Sequence, residues 1–326
     1  MKKKILIIVI VLTFSLSCKN NATKSISPTA KEYIDKVITI LENNSVNRNK
    51  IEWEKFKRKI YSKAKNAQEI KDTYPSIFLA IKEINDKHSY FEPINNANRI
   101  ENEKPLPQFK DEIIAHDIGY IRIPYFIGSE NQKQNYIQAI LEKIKKQDHI
   151  SIKGWIVDLR DNFGGNMWPM LLSVEPILGN GSVGYFLNSN SQYESWKLFE
   201  GKAYLNDTIV ATQENVFQLK NNNPYVAVLI NNQTASSGEA ISVAFKGRKK
   251  TKFFGDRTYG VSTGCKSFTL SDGSRINLAI STFIDRNHIK YGNSIAPDVK
   301  CKETETVEKA IEWINLINAN NKQIIP

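Results

Sequence analysis

The stretch NNQTASSGEAISVAFKGR, residues 231–248, decides the fold. It follows YVAVLI (225–230), a β-branched and aliphatic run of the kind that forms a buried strand. After the small residues Thr234, Ala235, Ser236, Ser237 and Gly238, the positions Ala240, Ile241, Ala244 and Phe245 keep helical spacing. The small residues therefore lie on a strand-to-helix turn. A serine there has two jobs open to it. As a helix N-cap it accepts a backbone N–H, for about 1 kcal/mol. As a nucleophile it needs a base within reach and a site of backbone N–H groups for the oxyanion. Small neighbours suit the second job, because a substrate carbonyl must come close to the backbone. On this turn alone the cap is the plainer reading.

Outward from the turn, strands and helices alternate. GYIRIPYF (119–126) reads as a strand, NQKQNYIQAILEKIKKQ (131–147) as a helix and GWIVDL (154–159) as a buried strand. A helix over NMWPMLLSVEPIL (166–178) and an edge strand around VGYFL (183–187) follow. Beyond the turn, KFFG (252–255), CKSFTL (265–270) and RINLAISTFI (275–284) read as strands, and VEKAIEWINLI (307–317) as a closing amphipathic helix. This alternation predicts an α/β fold whose mixed, largely parallel sheet is covered by helices. Residues 28–86 differ. Ser27 and Pro28 start a helix with Tyr33, Val37, Ile40 and Leu41 on one face, and two more helical stretches follow, broken near Pro75. They predict an N-terminal three-helix module, with PLPQF (105–109) as an extended connector.

The first residues read as targeting rather than fold. MKKK is a basic n-region and ILIIVIVLTFSLS (5–17) an apolar run shorter than the roughly 20 residues that cross a bilayer. Cys18 follows directly, and the arrangement resembles a bacterial lipoprotein signal, with Cys18 as the lipidated residue and residues 18–27 as a tether. The expected place is the cell envelope outside the cytoplasm, on a membrane. Losing Lys2, Lys3 and Lys4 lowers the formal charge from +11 to +8. The remaining lysines are scattered without aromatic interleaving, which argues against nucleic-acid binding and suits an anionic membrane surface. Cys265 and Cys301 remain, free to pair in such a compartment or to act as two small hydrophobes. No His/Cys spacing matches a zinc site.

Two more loops carry chemistry-bearing residues. VDLRDNFGGN (157–166) ends a buried strand at Asp158 and Arg160 and reaches Gly164–Gly165 before a helix. Paired glycines let a ligand approach the backbone, and helix-start N–H groups attract negative charge. DKHSYFEP (86–93) holds His88, one of four histidines with His116, His149 and His288. Flanked by acidic and small polar residues, His88 is unlike a packed core histidine, and a neutral imidazole is the usual activator of serine.

In this order the three loops resemble the tail-specific, or C-terminal processing, family of serine peptidases. VDLRDNFGG is similar to its DLRxNxGG element and TASSGE to its nucleophile motif, which points to Ser236 with Glu239 three residues on. GDRTYG (255–260), with Thr258, and IAPD (295–298) are similar to two further elements. The resemblance implies a crotonase-like peptidase core over 87–326 and neither metal nor organic cofactor. Members with a Ser–Lys dyad carry a lysine where this chain has Val261, which takes no proton. Members without a peptide-binding PDZ module use a histidine in a K-H-S loop, as Lys87, His88 and Ser89 stand here. Only about 25 residues separate that loop from the next strand, too few for a further domain. A Ser236–His88 dyad is thus implied, with an oxyanion site from Ser237 and Gly164 or Gly165. Related tricorn-type enzymes orient the histidine with a Glu whose place is taken here by Tyr291, leaving Asp86 and Asp285 as substitutes. The implied substrates are peptides or unfolded tails cut near the C-terminus, with lantibiotic-type antimicrobial peptides among them. The alternative is a catalytically silent envelope lipoprotein that binds peptides or ligands on the same fold.

Overall fold

The computed structural model describes residues 25–94, 105–108, 112, 114 and 116–323. The signal segment and Cys18 lie outside these residues.

Three helices open the chain: α1 (Pro28–Asn44), α2 (Trp53–Lys63) and α3 (Tyr74–Glu83). Ser27 caps α1 by accepting the Ala30 N–H at 3.1 Å, and Pro28 stands in the first turn, where its missing N–H costs nothing. Pro75 opens α3 rather than breaking a longer helix, after a 3-10 turn over Ile70–Thr73. The apolar faces, with Ile34, Leu41, Ile60 and Ile77, do not close on themselves. They share one core with Phe91, Ile276 and Leu278, which belong to strands, and with Leu270 just after one.

Those strands form a seven-stranded antiparallel sheet of β1 (Tyr90–Glu92), β4 (Gly181–Asn188), β5 (Tyr193–Phe199), β6 (Lys202–Leu205), β7 (Thr208–Thr212), β10 (Thr263–Thr269) and β11 (Arg275–Asp285). Its order is β1-β11-β4-β5-β6-β7, with β10 also paired to β11. A second, five-stranded sheet is wholly parallel, in the order β12-β9-β8-β3-β2. It contains β2 (Gly119–Arg122), β3 (Trp155–Asp158), β8 (Val226–Ile230), β9 (Thr251–Gly255) and β12 (Val299–Lys300). The expected largely parallel sheet is thus this smaller one, and the larger sheet is antiparallel. The stretch VGYFL is also not an edge. It lies in β4, hydrogen-bonded on both sides to β11 and β5.

The parallel strands read as continuous apolar runs because both faces are covered. Trp155 and Val157 of β3, with Val226, Val228 and Ile230 of β8, pack against α4 (Glu130–Gln147), α5 (Met167–Leu178) and α6 (Ser237–Phe245). Ile156, Ala227 and Leu229, the alternate residues, pack against Ala310 and Ile314 of α7 (Thr306–Gln323). The core around α4–α6 also takes in Val183, Trp196 and Phe283 of the antiparallel sheet. Cys265 sits on β10 and Cys301 follows β12 in the other sheet. Both thiols are free, so the reading as two small apolar residues holds over a disulfide.

Candidate active site

Adjacent parallel strands β3 and β8 end on the same side, where open α/β sheets form their crevices. The loop after each strand is tied to the other. Asn162, fully buried, accepts the Ala235 N–H on its carbonyl at 2.9 Å. Its side chain donates to Ile123 O at 2.9 Å and accepts the Gly164 N–H at 3.1 Å. Thr234 Oγ1 donates to Leu159 O at 2.9 Å, and Asn231 bonds Asp161 twice, through its N–H and its carboxylate. The loops pack so closely that a Cβ on Gly238 would lie 2.2 Å from Asn162 O, and one on Gly164 would lie 2.8 Å from Ser236 Cβ.

Ser236 holds φ 52° and ψ −117°. An N-cap residue ordinarily adopts an extended backbone, and Ser236 departs from it while still sharing the reciprocal bonds of a capping box with Glu239. A positive φ at a non-glycine residue is strained, and strain of this kind on a strand–turn–helix is what a nucleophile elbow shows. Glu239 holds the strain in place. Its buried carboxylate accepts the Ser236 N–H at 3.1 Å, the Thr258 hydroxyl at 2.5 Å, and the Gly260 and Val261 N–H groups at 3.0 and 2.9 Å. Burial raises its pKa and these four bonds work against the rise. Thr258 passes the clamp on, accepting the Ile295 N–H at 2.7 Å. Val261, at the place of a family lysine, therefore contributes a backbone N–H and an apolar side chain.

His88 arrives from a distant part of the chain, the loop between α3 and β1. Asp86 accepts the N–H groups of His88 and Ser89 at 2.9 and 2.6 Å and the Ser89 hydroxyl at 2.7 Å. Ser89 Oγ in turn accepts the Ala279 N–H at 2.9 Å, which pins the loop to β11. The imidazole Nδ1 lies 2.7 Å from Thr263 Oγ1 at the start of β10. With Nδ1–H donating to that oxygen, Nε2 carries the free lone pair. Burial lowers the His88 pKa from its ordinary 6.5, and the charge of Asp86 opposes this.

Ser236, Ser237, Gly165 and His88 line one cavity of about 560 Å³, together with Phe163, Trp168, Phe186 and Phe283. None of the other three histidines lines it. His149 bonds Ser151 and the His116 carbonyl, and His288 stacks on Tyr185. Gly164 stands behind the cavity with its N–H given to Asn162, whereas the Gly165 and Ser237 N–H groups have no acceptor among the described residues. The Ser237 hydroxyl donates to Gly165 O, which fixes that peptide relative to α6. Asp158 and Arg160 form a buried ion pair at the end of β3, joined by the Tyr120 hydroxyl at 2.7 Å, and do not line the cavity. Of the two expected carboxylates, Asp86 shapes the histidine loop. Asp285 accepts the Tyr291 hydroxyl at 3.0 Å and the N–H groups of Asn287 and Ile289. The imidazole's partner is Thr263, which sequence reasoning missed along with Asn162. Among the described residues no three His, Cys, Asp or Glu side chains cluster as metal ligands do.

The chain is 28% identical over 290 residues to the nisin-resistance protein of Lactococcus lactis subsp. lactis, covering 89% of this chain and 88% of that one. It is 28% identical over 182 residues to the chloroplastic carboxyl-terminal-processing peptidase 2 of Arabidopsis thaliana, covering 56% of this chain and 31% of that one. A lipoprotein from Streptococcus agalactiae superposes with a TM-score of 0.72 at 22% identity, over 89% of this chain and 97% of that one. The photosystem II D1 C-terminal processing protease gives a TM-score of 0.57 at 15% identity, over 87% and 97%, so the fold is shared with it. Residues 117–301, spanning β2 through the segment after β12, match Peptidase family S41, and the chain belongs to that family.

Proposed function

We propose that the protein is a serine endopeptidase in which Ser236 and His88 work as a dyad. The observation that carries this reading is the strained Ser236 backbone on the cavity that His88 also lines. Ser236 Oγ attacks a peptide carbonyl carbon while His88 Nε2 takes its proton. The oxygen that becomes negative is held by the Ser237 and Gly165 N–H groups. When the C–N bond breaks, His88 returns the proton to the departing amine. Water, deprotonated by His88, then releases the acyl group from Ser236 as a carboxylic acid. Loss of one oxyanion donor in such a site costs about 10²–10³ in rate.

Glu239 and Thr258 keep the nucleophile turn against the 258–261 loop, and Asp158 with Arg160 braces the loop that ends in Gly165. Thr263 stands where a carboxylate orients the histidine in other serine enzymes. A hydroxyl fixes the ring without adding negative charge. Peptides and unfolded tails are the substrates, and the likeness to the nisin-resistance protein across most of both chains supports lantibiotic-type peptides among them. The lipoprotein neighbour and the sequence around Cys18 support a lipid-anchored place in the cell envelope, with residues 28–86 and 87–326 as helical module and peptidase core. To test the assignment, purified wild-type, Ser236→Ala and His88→Ala proteins are incubated with a mixed peptide library and the products read by mass spectrometry. Each variant loses at least about 10³-fold in kcat/KM. Cleavage by Ser236→Ala at the wild-type rate overturns the reading.

A further inference from the structure

A second cavity, of about 310 Å³, lies against the first, and His88 lines both. Three separate segments each bring a lysine to its wall. Lys50 ends the 3-10 turn after α1, Lys87 precedes His88, and Lys290 follows β11. Among the described residues none of the three ammonium groups has a carboxylate at salt-bridge distance. Lys50 Nζ reaches only Asn47 Oδ1, at 3.2 Å. Asp86 is the one carboxylate lining the cavity, and its oxygens are taken by His88 N–H, Ser89 N–H and the Ser89 hydroxyl. Three exposed lysines thus line a hollow whose only carboxylate is Asp86, which leaves it net positive and suited to an anion.

We propose that this basic cavity is a substrate subsite that receives a carboxylate of the peptide cut at Ser236. The inference rests on the peptidase reading, because the wall shared with the Ser236 cavity at His88 makes the peptide itself the nearest source of negative charge. The size suits a small group, at the low end of ligand pockets. Lysine ammoniums act as point charges, which fits a carboxylate without demanding the fork geometry that arginine supplies. Two sources share this chemistry, the free C-terminus of the peptide and an Asp or Glu side chain near the scissile bond.

Two matched peptide pairs test this. One pair differs only in a C-terminal carboxylate or carboxamide, the other only in Glu or Gln beside the cleavage site. In kcat/KM the wild-type enzyme favours the charged member of at least one pair, on the order of tenfold for several solvent-facing ion pairs acting together. The preference shrinks toward one at about 1 M salt. A Lys50→Gln/Lys290→Gln variant brings the low-salt ratio down toward one. Preference in the first pair identifies the terminus as the source, and preference in the second identifies the side chain. Equal rates in both pairs, or a ratio unchanged in the lysine variant, overturn the subsite. Affinity of the same peptides for Ser236→Ala protein, followed by fluorescence anisotropy, reads the cavity without turnover. If no peptide is cut, the peptidase reading fails. The subsite then stands on charge-dependent binding and falls if the members of both pairs bind equally.

Discussion

Replacing Thr263 by Val removes the oxygen 2.7 Å from His88 Nδ1 and leaves the ring free to turn or to change tautomer. The expected result is a fall of about 10-fold or more in kcat with little change in KM, and recovery in Thr263→Ser, which restores the hydroxyl. Steady-state kinetics of the two variants check this. A purely structural role for Thr263 would instead show as a lower melting temperature shared by both variants. His88 also sets a pH dependence. Burial favours its neutral form, the form the proposed dyad needs, so the acid limb of kcat/KM is expected below pH 6.5. A limb above 6.5 would require a nearby negative charge stronger than Asp86, and a full pH profile decides between the two. His88 itself was legible in the sequence, because the K-H-S loop and the nearby acidic residues marked it. Thr263 was not. It touches His88 from 175 positions away, and nothing in its own neighbourhood sets it apart from the other hydroxyl residues of β10.

At the level of elements, the two loops after β3 and β8 act as one unit, and Gly238 is where they meet. A Cα hydrogen stands where a methyl would sit 2.2 Å from the Asn162 carbonyl oxygen, a backbone atom with no freedom to retreat. Gly238→Ala should therefore destabilise the fold by roughly 3 kcal/mol or prevent folding, against a small effect at an ordinary helix glycine. Chemical denaturation measures it. Glu239→Ala strips four donors of their acceptor at once, and a loss of about 3 kcal/mol or more is expected from the buried groups left unpaired. The strand–turn–helix was readable from YVAVLI and the helical spacing after it, since buried parallel strands leave unbroken apolar runs. The hairpins β5–β6 and β6–β7 were harder to see because their short strands are mostly half-buried or exposed and lack a clean alternation. Their turns nonetheless carry a signal. Glu200 and Gly201 both hold positive φ between paired Phe199 and Lys202, as a two-residue hairpin loop requires. Between Leu205 and Thr208 the loop Asn206–Asp207 has positive φ at Asn206 alone.

Across the whole molecule, the site depends on contact between parts that the sequence presents as separate. His88 is delivered by the helical module and β1, Ser236 by the parallel sheet, and Thr263 by the antiparallel sheet. The helices share their core with β1, β10 and β11, so deleting residues 28–83 uncovers Leu270, Ile276 and Leu278. The truncated chain is expected to aggregate or to unfold below the full chain's transition, and calorimetry of the full chain should give a single cooperative peak. A soluble truncated protein with wild-type stability would contradict that. The sequence did not disclose this shared core, because amphipathic periodicity shows which face of a helix is buried without showing what covers it. The most direct test of the account is mass-spectrometric mapping after exposure to a fluorophosphonate probe, which couples only to an activated serine. The account predicts one adduct, on Ser236, formed at least about 100-fold more slowly in His88→Ala. An unlabelled Ser236, or labelling that is as fast without His88, would contradict it.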